Sequence, residues 1–126
     1  MKLYQRIASA MKARENSLKN NNETWFDKHT ETIEKAIKDN FPHGSGFDGN
    51  TWLDFELSNP QKLVFFSEYH HMNENGYYDG WSTLKVIVKP DLAWGFDFKL
   101  TGIQRKYRFN KDYFEDVFNQ FLDMDI

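Results

Sequence analysis

The chain has no cysteine among its 126 residues. Disulfides and thiolate metal sites are therefore excluded, and a reducing compartment is permitted. Proline is scarce, and each of the three (Pro42, Pro60, Pro90) falls at the edge of a patterned segment rather than inside one. No uninterrupted apolar run approaches the roughly 20 residues that a bilayer-spanning helix needs. The start, Met1-Lys2-Leu3-Tyr4-Gln5-Arg6, leads into a polar helical pattern rather than an apolar signal core. The default expectation is a cytoplasmic protein without a membrane partner. A surplus of one charge is also missing. Sixteen Lys and Arg against nineteen Asp and Glu leave a net charge of −3, whereas dedicated nucleic-acid binders carry a basic surplus. Charge is nevertheless uneven, with a basic first stretch and an acidic last one, which reads as two solvated helix faces.

Aromatic residues are abundant at 17%. They bury much area per residue, so a single domain over residues 1–126 can build one adequate core. Leu3, Ile7, Ala10 and Met11 fall on one side of a first helix at 3-4 spacing. A polar connection follows, with residues 16–23 the best candidate for a mobile segment. Thr24 is the expected N-cap of a second helix, whose stripe is Trp25, His29, Ile33, Ala36 and Ile37. Phe41-Pro42 ends it, because a residue before proline avoids the helical region. A glycine-rich loop follows, containing Gly44, Gly46 and Gly49. It has neither the lysine of a P-loop nor the spacing of a nucleophile elbow.

Four runs of alternating character come next: residues 52–57, 63–71, 83–89 and 94–101. Period two over four segments predicts an antiparallel sheet with one strongly apolar face. Asn75-Gly76 is the favoured dipeptide of a two-residue hairpin. Centring a turn there pairs Glu74 with Tyr77, His70 with Trp81, Phe65 with Val86 and Leu63 with Val88. Turns at residues 58–62 and at Pro90-Asp91-Leu92 would pair Leu57 with Leu63 and Val88 with Trp94. Asn110 can cap a last helix carrying Tyr113, Phe114, Val117, Phe118, Phe121 and Leu122. The predicted fold is α+β: two N-terminal helices, a four-stranded antiparallel meander in order 1-2-3-4, and a C-terminal helix packed on one sheet face.

This register places Trp52 in a row with Glu68, Thr83 and Lys99 on the other sheet face, and His70 in a row with Trp81. His43, His70, His71, Glu74 and Asp79 are ligand types for zinc or iron. Adjacent strand residues point to opposite faces, however, so His70 and His71 cannot share an ion unless the strand bulges between them. Neither a metal nor a cofactor is expected, and no residue is assigned a catalytic role. The stretches His43-Gly44-Ser45-Gly46-Phe47-Asp48, His70-His71-Met72-Asn73-Glu74-Asn75-Gly76-Tyr77-Tyr78-Asp79-Gly80-Trp81, Gly95-Phe96-Asp97-Phe98 and Thr101-Gly102 resemble an uncharacterised family of small phage and bacterial mobile-element proteins. The resemblance covers about the last two-thirds of the chain. It implies a prokaryotic or phage setting and an accessory protein that binds a host or phage macromolecule.

The function expected is thus non-enzymatic binding of a protein partner through Trp52, His70, Tyr77, Tyr78 and Trp81. One alternative is a small hydrolase or small-ligand site beside the glycine-rich loop, using His43, His70 or His71 with Glu68 or Asp79. Another is a structural homo-oligomer that buries the outer sheet face between copies.

Overall fold

A computed structural model describes residues 1–42, 51–72, 75–89, 96–101 and 111–126; the side chains of residues 69, 71, 72, 78–82, 96 and 98–101 are outside this description. The elements are α1 (Leu3–Lys19), α2 (Glu23–Asn40), β1 (Thr51–Leu53), β2 (Leu63–Met72), β3 (Tyr78–Val88), β4 (Phe96–Thr101) and α3 (Lys111–Leu122). The architecture is α+β, with three helices and an antiparallel sheet. Its three longer strands are β2, β3 and β4, and β1 adds a three-residue edge beside β2.

Helix α1 opens where the Lys2 N–H donates to Gln5 Oε1 at 2.9 Å. It buries Leu3, Ile7, Ala10 and Met11, as their spacing predicts. The connection expected over residues 16–23 is shorter: residues 16–19 belong to α1 and Glu23 to α2, leaving only residues 20–22. Asn21 takes a left-handed φ of 54°, a conformation asparagine tolerates better than most residues. Asn22, not Thr24, caps α2; its Oδ1 accepts from the Trp25 N–H at 3.2 Å. The buried stripe of α2 also differs from expectation. Ile33, Ala36 and Ile37 are buried, but Trp25 is 52% exposed. The stripe runs back from Ile37 and Ile33 to Thr30 and Phe26; Trp25 lies about 80° round the helix from Ile33, while His29, about 40° from it, is half-buried. Their rings stack at 5.7 Å, with the Lys28 ammonium 5.0 Å from the indole centroid. Phe41 is extended before Pro42 and is buried.

One core gathers all three helices and the inner sheet face. Its hub is Phe118 of α3, whose ring lies 4.8 Å from Phe114, 5.4 Å from Phe41 and 5.9 Å from Phe65. Asn110, expected to cap α3, is outside the described residues. Ser67 is the one buried polar residue among those described, and its Oγ lies 2.6 Å from Thr51 Oγ1 across β1 and β2. That bond satisfies a hydroxyl that would otherwise cost stability in an apolar core.

The register of β2 against β3 is as predicted from Leu63↔Val88 to His70↔Trp81. Nearer the turn it is not. Met72 lies opposite Tyr78, where a two-residue Asn75-Gly76 loop would place Asp79. Three residues of β2 (His70 to Met72) therefore face four of β3 (Tyr78 to Trp81), a bulge that lengthens the connection to residues 73–77. Gly76 suits the turn, with φ at 81°. Both flanking registers are displaced by two. Leu53 pairs with Phe65, and Val88 pairs with Phe96. The first strand ends early because Asp54 Oδ1 accepts from the N–H groups of Glu56 and Leu57, at 3.0 and 2.9 Å. This turn bends the chain, leaves Leu57 44% exposed, and lets Ser58 Oγ take the Val64 N–H at 2.9 Å. The expected Leu57–Leu63 pair does not form. The Val88–Trp94 pair is replaced as well, although Trp94 itself is outside the described residues.

The two ends of the chain are tied together. The Leu3 N–H donates to the Met124 carbonyl at 2.9 Å, and the Ile126 N–H donates to the Met1 carbonyl at 3.1 Å. Lys2 Nζ lies 3.3 Å from Asp125 and 3.4 Å from Asp123. Lys2 of the basic start and Asp123 and Asp125 of the acidic end, expected on solvated helix faces, meet here and stay partly exposed.

Candidate functional site

Strand alternation puts Trp52, Val64, Phe66, Glu68 and His70 on the sheet face away from Leu63 and Phe65. The two-residue displacement of β1 sets Trp52 opposite Phe66 rather than Glu68. The two rings stack with centroids 5.9 Å apart and an interplanar angle of 20°. In the observed register that row continues to Lys85 and Lys99, while Glu68 faces Thr83 and then Thr101. The outer face is not uniformly open. Val64 is only 1% exposed, and Phe66, Glu68, Lys85 and Ile87 are half-buried. Trp52, by contrast, is 42% exposed.

The second exposed region is the hairpin end. β1 pairs with β2 only up to Ser67, and β4 pairs with β3 only from Thr83 onward. Among the described residues, the β2–β3 ribbon beyond these points has no flanking strand. Asn75, Gly76 and Tyr77 are exposed, Tyr77 by 70%. A Cβ added at Gly76 would meet nothing within 4 Å. His70 is exposed and is the backbone partner of Trp81. Tyr78 and Trp81 are placed on β3 by their backbone, but their side chains are outside the described set.

The alternative residues are less assembled. Glu68 and His70 share one face of β2. His71 and Asp79 sit at the bulge, where the extra residue belongs to β3; neither side chain is described. His43 and the glycine-rich loop are outside the described residues, as is Glu74. Among the described residues there is no group of three or more His, Asp or Glu side chains placed to hold a metal ion. No helix among them is long and apolar enough to cross a membrane.

One charged cluster is not apparent from the sequence patterns. The Arg14 guanidinium carbon lies 4.1 Å from the Phe26 ring centroid and 4.5 Å from that of Phe55. Its Nε donates to Thr30 Oγ1 at 2.7 Å, and Thr30 Oγ1 donates in turn to the Phe26 carbonyl at 3.0 Å. Burial pushes the guanidinium pKa down. The available signal is positional: Arg14 continues the inner stripe of Ile7, Ala10 and Met11 by one more turn. Phe55, expected in a strand, reaches Arg14 from the turn after β1 instead.

No protein family matches the chain, and neither the comparison with characterised proteins nor that with solved structures found a match. The functional reading therefore rests on the sequence and geometry of the molecule itself.

Proposed function

We propose that the protein is a non-enzymatic binding protein that takes a protein partner on its outer sheet face and hairpin end. The observation that carries this reading is Trp52: a large ring 42% exposed, stacked flat on Phe66 and directed away from the helices. Trp and Tyr dominate binding hot spots because a rigid ring gains much contact area for little conformational entropy. Tyr77 supplies a second exposed ring at the turn, and His70, Tyr78 and Trp81 are the contacts proposed between them. On this reading the resemblance of the hairpin motif to phage and mobile-element proteins puts the partner among host or phage macromolecules.

The test is affinity capture from a prokaryotic host extract with the wild type, Trp52→Ala and Tyr77→Ala. Both variants should keep the wild-type circular dichroism spectrum and lie within about 1 kcal/mol of its stability, as usual for surface changes. Each should lose the captured protein. Undiminished capture by both variants refutes the reading. Concentration-dependent light scattering that Trp52→Ala abolishes would instead make the patch an interface between copies.

A further inference from the structure

We infer that Asn75 is a site of spontaneous modification, where the Gly76 main-chain nitrogen displaces the side-chain amide and converts the hairpin end to isoaspartate and aspartate. The reaction needs only water, and it is independent of whether the outer sheet face takes a partner. Asn75-Gly76 is the one Asn-Gly step in the chain. The residue after an asparagine hinders this attack chiefly through its Cβ, and glycine has none. The fold adds two observations to the dipeptide. Asn75 and Gly76 are both exposed, and nothing lies within 4 Å of the place a Gly76 Cβ would occupy, which leaves room for a ring to close. The bulge also sets the last ladder pair at Met72 and Tyr78. The step therefore lies inside the longer connection over residues 73–77, not at the tightly held centre of a two-residue turn.

Every other asparagine precedes a residue that carries a Cβ. Asn59 precedes Pro60, which has no N–H to lose. Asn16 and Asn119 lie within helices, where the backbone holds the next nitrogen away from the side-chain carbon. The chemistry at Asn75 balances without a cofactor. The Gly76 nitrogen gives its proton to hydroxide and bonds to Asn75 Cγ; the Cγ–Nδ2 bond breaks and ammonia leaves. Water then opens the cyclic imide. Cleavage at Cγ gives aspartate, and cleavage at the main-chain carbonyl gives isoaspartate. Both products place a negative charge at position 75, and isoaspartate also lengthens the main chain by one carbon beside the exposed Tyr77.

The test incubates the full folded chain in buffer and maps its peptides by mass spectrometry, with isoaspartate separated from aspartate by chromatography. Asn75 should convert faster than any other asparagine, with isoaspartate among its products. Its rate should rise with pH, because the attacking nitrogen must first lose a proton. Gly76→Ala, checked for folding by circular dichroism, should slow conversion about tenfold, the factor that about 1.4 kcal/mol of added barrier gives. Conversion in the folded chain should lie within about tenfold of that in concentrated urea, a barrier difference below about 1.4 kcal/mol. The inference is overturned if Asn75 converts no faster than the other asparagines, if aspartate forms without isoaspartate, or if Gly76→Ala converts as fast as the wild type. Protection of the folded chain by more than about tenfold relative to urea overturns it as well. If Gly76→Ala does not fold, the wild-type rates in buffer and in urea decide alone.

Discussion

The two halves of the β2–β3 hairpin obey different rules. In the half that lies within the sheet, Leu63, Phe65, Leu84 and Val86 are fully buried, and Phe65 meets Phe118 and Phe121 of α3. A one-residue slip there would turn every one of these side chains to the opposite face, so burial holds the register. The other half runs past β1 and β4 among the described residues, carries the one-residue bulge, and ends at the exposed Tyr77. The extra residue falls where, among the described residues, no strand flanks the ribbon. Burial thus holds the register in one half, and the other half carries the bulge and the exposed turn.

The strongest way to break this comparison is at the buried end. Phe118→Ala removes the ring that Phe41, Phe65 and Phe114 share. It should cost about 3–5 kcal/mol in urea unfolding, a large part of the stability of a domain this size. A loss below about 1 kcal/mol would contradict the picture of Phe118 as the hub. At the free end, Gly76→Ala should cost about 1 kcal/mol because of the positive φ, despite open space around it. Hydrogen exchange should quicken at the turn and stay slow at Leu84 and Val86. Equal quickening at both places would show that the two halves open together.

The smallest expected effect concerns Lys2. Its hydrogen bond to Asp125, helped by Asp123, raises its pKa above the ordinary 10.5. The folded state then holds this proton more tightly than the unfolded state. The stabilisation is complete below pH 10.5 and is lost as pH rises through the higher folded-state value. The stability difference between wild type and Lys2→Met should therefore be constant from neutral pH to about pH 9 and vanish in strong alkali. It should also shrink with added salt, as for any surface pair. A difference that grows with pH would contradict this sign.

Much of this fold is legible in the sequence because two kinds of evidence coincide at its centre. Alternation on both sides of the hairpin and a turn dipeptide between them leave one good pairing for Leu63 to His70. The flanking strands lack the second kind. Alternation sets which face a residue takes, but a two-residue displacement preserves that face, so Trp52 shifts from Glu68 to Phe66 without disturbing the core. The Asp54 turn that causes the shift depends on side-chain hydrogen bonds that alternation does not encode. The exposure of Trp52 and Tyr77 follows from their positions, opposite the core face and beside the turn. The Arg14 cluster does not, because it joins α1, α2 and the turn after β1, and its members become neighbours only once those elements pack.

Hydrogen bonds between residues 3 and 124 also bear on how the molecule is made. Helices α1 and α2 adjoin through three asparagines and can associate early. The first turn of α1 nevertheless finishes its pairing only with a strand-like segment that follows α3, across a loop of nearly the whole chain. Closing so long a loop is entropically slow. The first turn of α1 is therefore among the last of these contacts to be locked in place.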